Sequence, residues 1–195
     1  RRIGSNFLKA GIGYGGSCFP KDTKALNFQS DHAGVKLKTV KATIDVNREQ
    51  RTKLIDKARR FFPDFRGVRV AIIGLTFKPG TDDLREAPAK KNIDILLNEG
   101  ADIIAWDPLG AENFRKCYPN CAINFADDID EALTDAAVCF IMTEWEKIVE
   151  YPLDNYKKYM KRPLVFDGRN CYKLSEVEKH EIFYDSIGRK IVDTL

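Results

Sequence analysis

The segment Gly-Ile-Gly-Tyr-Gly-Gly-Ser-Cys-Phe-Pro-Lys-Asp, residues 11–22, sets a thiol between a glycine-rich loop and the start of a helix. Glycine's permissive backbone suits a loop that closes tightly on something. Proline in a first turn, followed by Asp22 and Thr23, suits a helix start. The positive end of a helix and the neighbouring Lys21 both favour thiolate over thiol, so Cys18 has the setting of a nucleophile. A small cysteine packed in a core is the competing reading. Asp22, one turn after Cys18, shares its helix face and could orient a water or accept a proton. Capping of the helix is the simpler explanation for it.

Two further segments could meet a ligand. Residues 74–86, Gly-Leu-Thr-Phe-Lys-Pro-Gly-Thr-Asp-Asp-Leu-Arg-Glu, follow an apolar run and precede a helix, the place where doubly wound sheets bind ligands. The glycine spacing and Pro79 set this loop apart from the dinucleotide fingerprint. Asp107, at the end of the next apolar run, resembles the acidic residue that holds a ribose in such folds; a solvated strand-end aspartate is the alternative. In Asp167-Gly168-Arg169-Asn170, Arg169 could grip a phosphate or a sugar hydroxyl, or be an ordinary arginine in a turn. Cys117 and Cys121 lie four apart but have few other ligands near them, and His32 and His180 are distant in sequence, so no metal site is expected.

These residues need elements to position them. The helix opened by Phe19-Pro20-Lys21-Asp22 should end near His32 or Ala33, before Gly34. A longer helix is expected from about Lys38 to Phe62, because Val40, Ile44, Asn47, Arg51, Leu54, Ile55, Ala58 and Phe61 recur at steps of three and four. Pro63 and Gly67 break that pattern, which places a domain boundary near residue 64. Beyond it, the runs 68–74, 102–106, 138–142 and 163–167 read as buried strands, with a weaker candidate at 121–125. Ala89, Ile93, Leu96 and Leu97 mark one helical face before Gly100, completing a βαβ unit. The expected fold is α/β: a doubly wound, Rossmann-like parallel sheet over residues 65–195, preceded by an all-helical segment over residues 1–64.

Composition narrows the class. Hydrophobic residues make up 44% of the 195, enough for a real core. Thirty-two Lys and Arg stand against 29 Asp and Glu, a net charge of +3 with both signs interspersed, so no nucleic-acid-binding stripe emerges. No apolar run approaches the roughly 20 residues of a membrane span, and no cleavable signal opens the chain. Five cysteines, an odd number, fit a reducing compartment and point to the cytoplasm. The sequence starts at Arg1 within what reads as a motif, so it is expected to be part of a longer protein.

Together these residues resemble the UDP-glucose/GDP-mannose dehydrogenase family, and its UDP-glucose branch most. The resemblance is carried by Arg2-Ile3-Gly4, Phe7-Leu8-Lys9-Ala10, GIGYGGSCFPKDTKAL at 11–26, Val46-Asn47, GLTFKPGTDDLREAP at 74–88 and FDGRN at 166–170, all in the family's order. It implies a three-part NAD-dependent enzyme: a cofactor domain, a central helical region that forms a homodimer, and a C-terminal domain for the UDP-sugar. Only the last two are represented in this sequence. The implied reaction oxidises a sugar alcohol to a carboxylate with two NAD, through a thiohemiacetal and a thioester on Cys18, and Asp22 matches the family's water-orienting aspartate. Lys21 and Arg85 match residues on the NAD side. Phe7, Leu8, Lys9, Tyr14 and Gly15 match the substrate loop, and Phe77, Lys78 and Arg169 match UDP-sugar contacts. Arg2 matches an arginine that reaches the neighbouring subunit's substrate. Dehydrogenases of GDP-mannose and UDP-N-acetylmannosamine, and a non-catalytic nucleotide-binding or dimerisation module, remain the alternatives.

Overall fold

The computed structural model describes residue 4 and residues 8–195. Three helices come first: α1 (Cys18–His32), α2 (Lys38–Gln50) and α3 (Lys53–Ala58). Strands and helices then alternate as β1 (Arg69–Ile73), α4 (Pro88–Asn98), β2 (Asp102–Trp106), α5 (Ala111–Cys117), β3 (Ile123–Phe125), α6 (Ile129–Leu133) and β4 (Val138–Ile141). They continue through α7 (Glu146–Val149), α8 (Asp154–Tyr159), β5 (Leu164–Asp167), α9 (Leu174–Val177), β6 (Phe183–Ser186) and β7 (Val192–Asp193).

The strands form one sheet in the order β3-β2-β1-β4-β5-β6-β7. All neighbours run parallel except β6 and β7. Successive side chains of a strand point to opposite faces, and here both faces are covered, which explains the unbroken apolar runs. On one face Val70, Ile72, Val138, Phe140 and Phe166 pack with Leu54 and Ile55 of α3 and with Ile93 and Leu96 of α4. On the other, Ala71, Ile73, Cys139, Ile141 and Val165 pack with Leu133 of α6, Tyr156 of α8 and Val177 of α9. Burial holds the Cys139 thiol well above its ordinary range, as an inert core group. The doubly wound, Rossmann-like reading holds, with helices leading into it. No helix among the described residues is long and apolar enough to cross a membrane.

Two expectations are corrected. The single helix expected over 38–62 is divided at residues 51 and 52. There the Arg51 carbonyl accepts a hydrogen bond from the Asn92 side chain at 2.8 Å, and a side chain entering the backbone ladder is a recognised cause of a break. The strands β6 and β7 lie beyond the expected runs, although Ile182-Phe183-Tyr184 has the β-branched and aromatic character of a strand. β6 is pinned to α3 by Asp185, almost wholly buried, which pairs with Lys57 at 2.7 Å and with Arg60. Because β7 is antiparallel, the sheet is mixed at that edge.

Candidate active site

The chain crosses the sheet to opposite sides after β1 and after β4, and these two strands are neighbours. Loops leaving such a switch point diverge and open a crevice at the strands' carboxyl ends. The cysteine loop lies across that edge. Ile12 N–H donates to Gly168 O at 2.9 Å, and Gly16 N–H donates to Arg85 O at 2.8 Å. The loop thus touches both the turn after β5 and the long loop after β1.

Close approach depends on glycine. A Cβ on Gly15 would stand 2.5 Å from Glu86 O and 2.8 Å from Phe77 Cβ. Gly16 has φ of +80°, and a Cβ there would meet the Phe77 ring at 2.8 Å. Both the backbone shape and the contact therefore exclude a side chain at Gly16.

Asn47 of α2 reads the loop as a backbone partner would. Its Oδ1 accepts from Tyr14 N–H at 2.7 Å and its Nδ2 donates to Tyr14 O at 3.2 Å. Gln50 Nε2 donates to Gly11 O at 3.0 Å. Arg169 ties the remaining segments: Nε donates to Met142 O at 2.9 Å, one terminal nitrogen to Gly13 O at 3.2 Å and the other to Phe77 O at 3.3 Å. A guanidinium has five N–H groups, so each terminal nitrogen keeps one for a ligand. The Arg169 side chain is 13% exposed and also pairs with Glu144 at 3.3 Å.

A cleft of about 670 Å³ opens beside these loops, lined among others by Lys9, Tyr14, Phe19, Glu144, Val149 and Arg169. That volume lies within the usual range for small-molecule sites. Of the expected substrate residues, Lys9, Tyr14 and Arg169 line it, Leu8 is exposed, and Gly15 is buried beneath the loop. Phe77 is turned toward Gly16, and Lys78 Nζ stands 5.4 Å from the Phe77 ring centre on the exposed loop; neither lines the cleft. Arg2 and Phe7 lie outside the described residues.

Cys18 is the first residue of α1 and is exposed, so it is not a packed core residue. Lys21 and Asp22, both exposed, pair with each other at 3.2 Å. The pair is open to solvent on both sides and holds Asp22 only weakly. Arg85 pairs with Asp83 at 2.7 Å. Asp83 holds the Arg85 guanidinium above its ordinary range, with a smaller contribution from Cys18, and the Arg85 carbonyl accepts from Gly16 N–H, two residues before Cys18. In return, Arg85 chiefly holds the Asp83 carboxyl below its usual value.

Asp107 does something neither sequence reading anticipated. It is only 5% exposed. Its carboxylate accepts from Leu75 N–H at 2.7 Å, Gly110 N–H at 2.6 Å, Leu109 N–H at 3.0 Å and Trp145 Nε1–H at 3.0 Å. It is an internal anchor for the loops after β1, β2 and β4. Asp167 is similar at the end of β5, accepting from the N–H groups of Arg169 and Cys171 and the hydroxyl of Tyr184. Burial pushes its carboxyl upward, opposed by those three donors. Sequence reasoning also missed Glu86, Arg51 and Glu144. Glu86 ends the 74–86 segment, but its partners Lys24 and Arg51 lie far from it in sequence.

Residues 71–174 match the UDP binding domain of the UDP-glucose/GDP-mannose dehydrogenase family, and residues 1–49 match that family's central domain. The chain belongs to this family. It is 43% identical over 192 residues to the UDP-glucose 6-dehydrogenase YwqF of Bacillus subtilis, covering 98% of this chain and 43% of that protein. Over 192 residues it is also 43% identical to a UDP-glucose 6-dehydrogenase of Rhizobium meliloti, covering 96% of this chain and 43% of the relative. The solved structure of a UDP-glucose dehydrogenase from Pyrobaculum islandicum superposes with a TM-score of 0.81 at 29% identity, covering 94% of this chain and 40% of that one. The chain thus spans less than half the length of these family members.

Proposed function

We propose that this chain is the C-terminal portion of an NAD-dependent UDP-glucose 6-dehydrogenase that acts in the cytoplasm. In this reading residues 1–64 belong to the central dimerisation region and residues 65–195 to the UDP-sugar domain. The observation that carries the proposal is convergence: the cysteine loop, the loop after β1 and the turn after β5 are hydrogen-bonded to one another at the carboxyl edge of the sheet, beside a cleft that the first and the last of them line. The naming of the relatives as UDP-glucose 6-dehydrogenases supports the sugar. Large exposed apolar residues on the paired helices α1 and α2, Leu26, Phe28 and Val46, support a second copy packing there.

NAD, when bound, accepts the hydride in each of two oxidations. The described residues fit one rim of its site: Arg85 and Lys21 are exposed cations near Cys18, suited to an anionic pyrophosphate. The chain's own chemistry is the thiol's. Cys18 Sγ adds to the aldehyde carbon at C6, forming a C–S bond while the carbonyl oxygen takes a proton. Once this thiohemiacetal has been oxidised to a thioester, a water attacks the carbonyl carbon, the C–S bond breaks, and Sγ leaves as thiolate. Asp22, one turn from Cys18, is assigned to orient that water, exchanging its exposed pairing with Lys21 for it. Covalent retention explains why a thiol is needed, since a free aldehyde could escape between the oxidations. Lys9, Tyr14 and Arg169 in the cleft, with Lys78 on the adjoining loop, are assigned to the UDP-sugar. Arg2 and Phe7 retain their assignments from the resemblance.

The test is to assay the full-length protein with NAD against UDP-glucose, GDP-mannose and UDP-N-acetylmannosamine. Two NADH for each UDP-glucuronate are expected, and preference for another sugar would replace this reading.

A further inference from the structure

Glu86 follows Arg85 with φ of +52°, a left-handed conformation that is uncommon for a residue other than glycine and that the surrounding structure must enforce. Its carboxylate receives Lys24 Nζ of α1 at 2.8 Å on one oxygen and an Arg51 terminal nitrogen at 2.8 Å on the other. Arg51 in turn donates to Tyr14 O at 3.3 Å. The Arg51 side chain is 16% exposed, and its Nε is buried with no hydrogen-bond partner among the described residues. Lys24 first, and then Arg51, hold the Glu86 carboxyl below its usual range. The main chain of the same residue is gripped as well: Gly16 N–H donates to the preceding carbonyl, and the Glu86 carbonyl occupies the space where Gly15 lacks a Cβ.

Two elements therefore meet at one side chain, the helix that begins with Cys18 and the α2 end, and the loop that leads to Cys18 is reached through Arg51 and through the Glu86 main chain. The main chain of that residue continues directly from Arg85. We infer that Glu86 is a positioning residue, which holds Arg85 on the cofactor side and Cys18 in one fixed relation. The inference deepens the dehydrogenase reading and rests on it. The Glu86 carboxylate bonds to Lys24 and Arg51 rather than to the thiol. It acts by joining two groups that the backbone separates by 67 residues, from Cys18 to Arg85.

The test uses the full-length protein with two variants. Glu86→Gln keeps the shape and removes the charge, leaving Arg51 largely buried without its anion. Glu86→Gly accepts the left-handed backbone without strain but has no carboxylate, so it separates the clamp from the conformation. Both should lower kcat by roughly tenfold or more, the scale on which small misplacements act, while KM for UDP-glucose moves by less than about threefold. Both should also speed amide exchange at Tyr14 and Gly16. Glu176→Gln, which removes an exposed pair with Lys179, serves as the unaffected control. Wild-type kcat in either variant, or unchanged exchange at both amides, overturns the inference. If the wild-type protein reduces no NAD with any nucleotide sugar, the proposed function falls instead, and the exchange measurement still decides whether Glu86 clamps the loop.

Discussion

Asp107 and Asp167, at the carboxyl ends of β2 and β5, are 5% and 0% exposed, and their oxygens are spent on backbone N–H groups, a tyrosine and an indole. Cys18, Lys21, Asp22 and Arg85 face the opposite condition: they are exposed, and the cation and carboxylate partners they have are solvent-accessible neighbours. Both sets come from motifs that the sequence offered for a ligand, and only one set is exposed to it. Buried carboxylates fix where the loops lie, because a buried N–H left unpaired is costly. Exposed groups can exchange weak partners for a ligand at little cost.

The contrast is broken first at Cys18. Cys18→Ser in the full-length protein should lower formation of the acid by roughly a thousandfold or more while unfolding remains unchanged, since the thiol supports chemistry and packs against little. Product analysis with a denaturant melt checks both halves; near-normal turnover removes the nucleophile assignment. Asp107→Asn should do the reverse. An amide would turn N–H groups toward N–H groups, and a loss of about 3 kcal/mol in urea unfolding is expected.

Lys78 and Arg169 sharpen the comparison at smaller scale. Lys78→Ala should weaken UDP-glucose binding by about tenfold, the cost of one charge-assisted contact, with stability within about 0.5 kcal/mol of wild type. Arg169→Ala should weaken binding and also destabilise, because it frees three backbone carbonyls at once. Calorimetry beside thermal melts separates the two, and equal melts with weakened binding would show that the tie is dispensable. The smallest effect is a pH dependence. Glu86 has a depressed carboxyl value in the folded chain, so its contribution is present above the unfolded value near 4.5 and is lost as pH falls through the lower folded one. The difference in Tm between wild type and Glu86→Gln should shrink as the pH is lowered from about 6 toward about 3; a constant difference would refute the charge-based clamp.

The sequence by itself determined the strands at 69–73, 102–106, 138–141 and 164–167, because strands covered on both faces must be apolar throughout. It also determined the helix that starts beside Cys18, because proline and glycine constrain the backbone locally. The convergence of motifs was legible as a list of segments, and their resemblance supplied roles for them. What the tertiary structure alone decided is which polar groups are free and which are spent. Asp107 and Asp22 look alike as single letters, yet one is enclosed by loops after three strands and the other meets solvent. The division between α2 and α3 depends on Asn92, 41 residues away, and the Glu86 clamp on partners 62 and 35 residues away. A hydrogen bond depends on distance and angle within a few tenths of an ångström, and across such separations only the packed sheet and its crossings bring the two ends together.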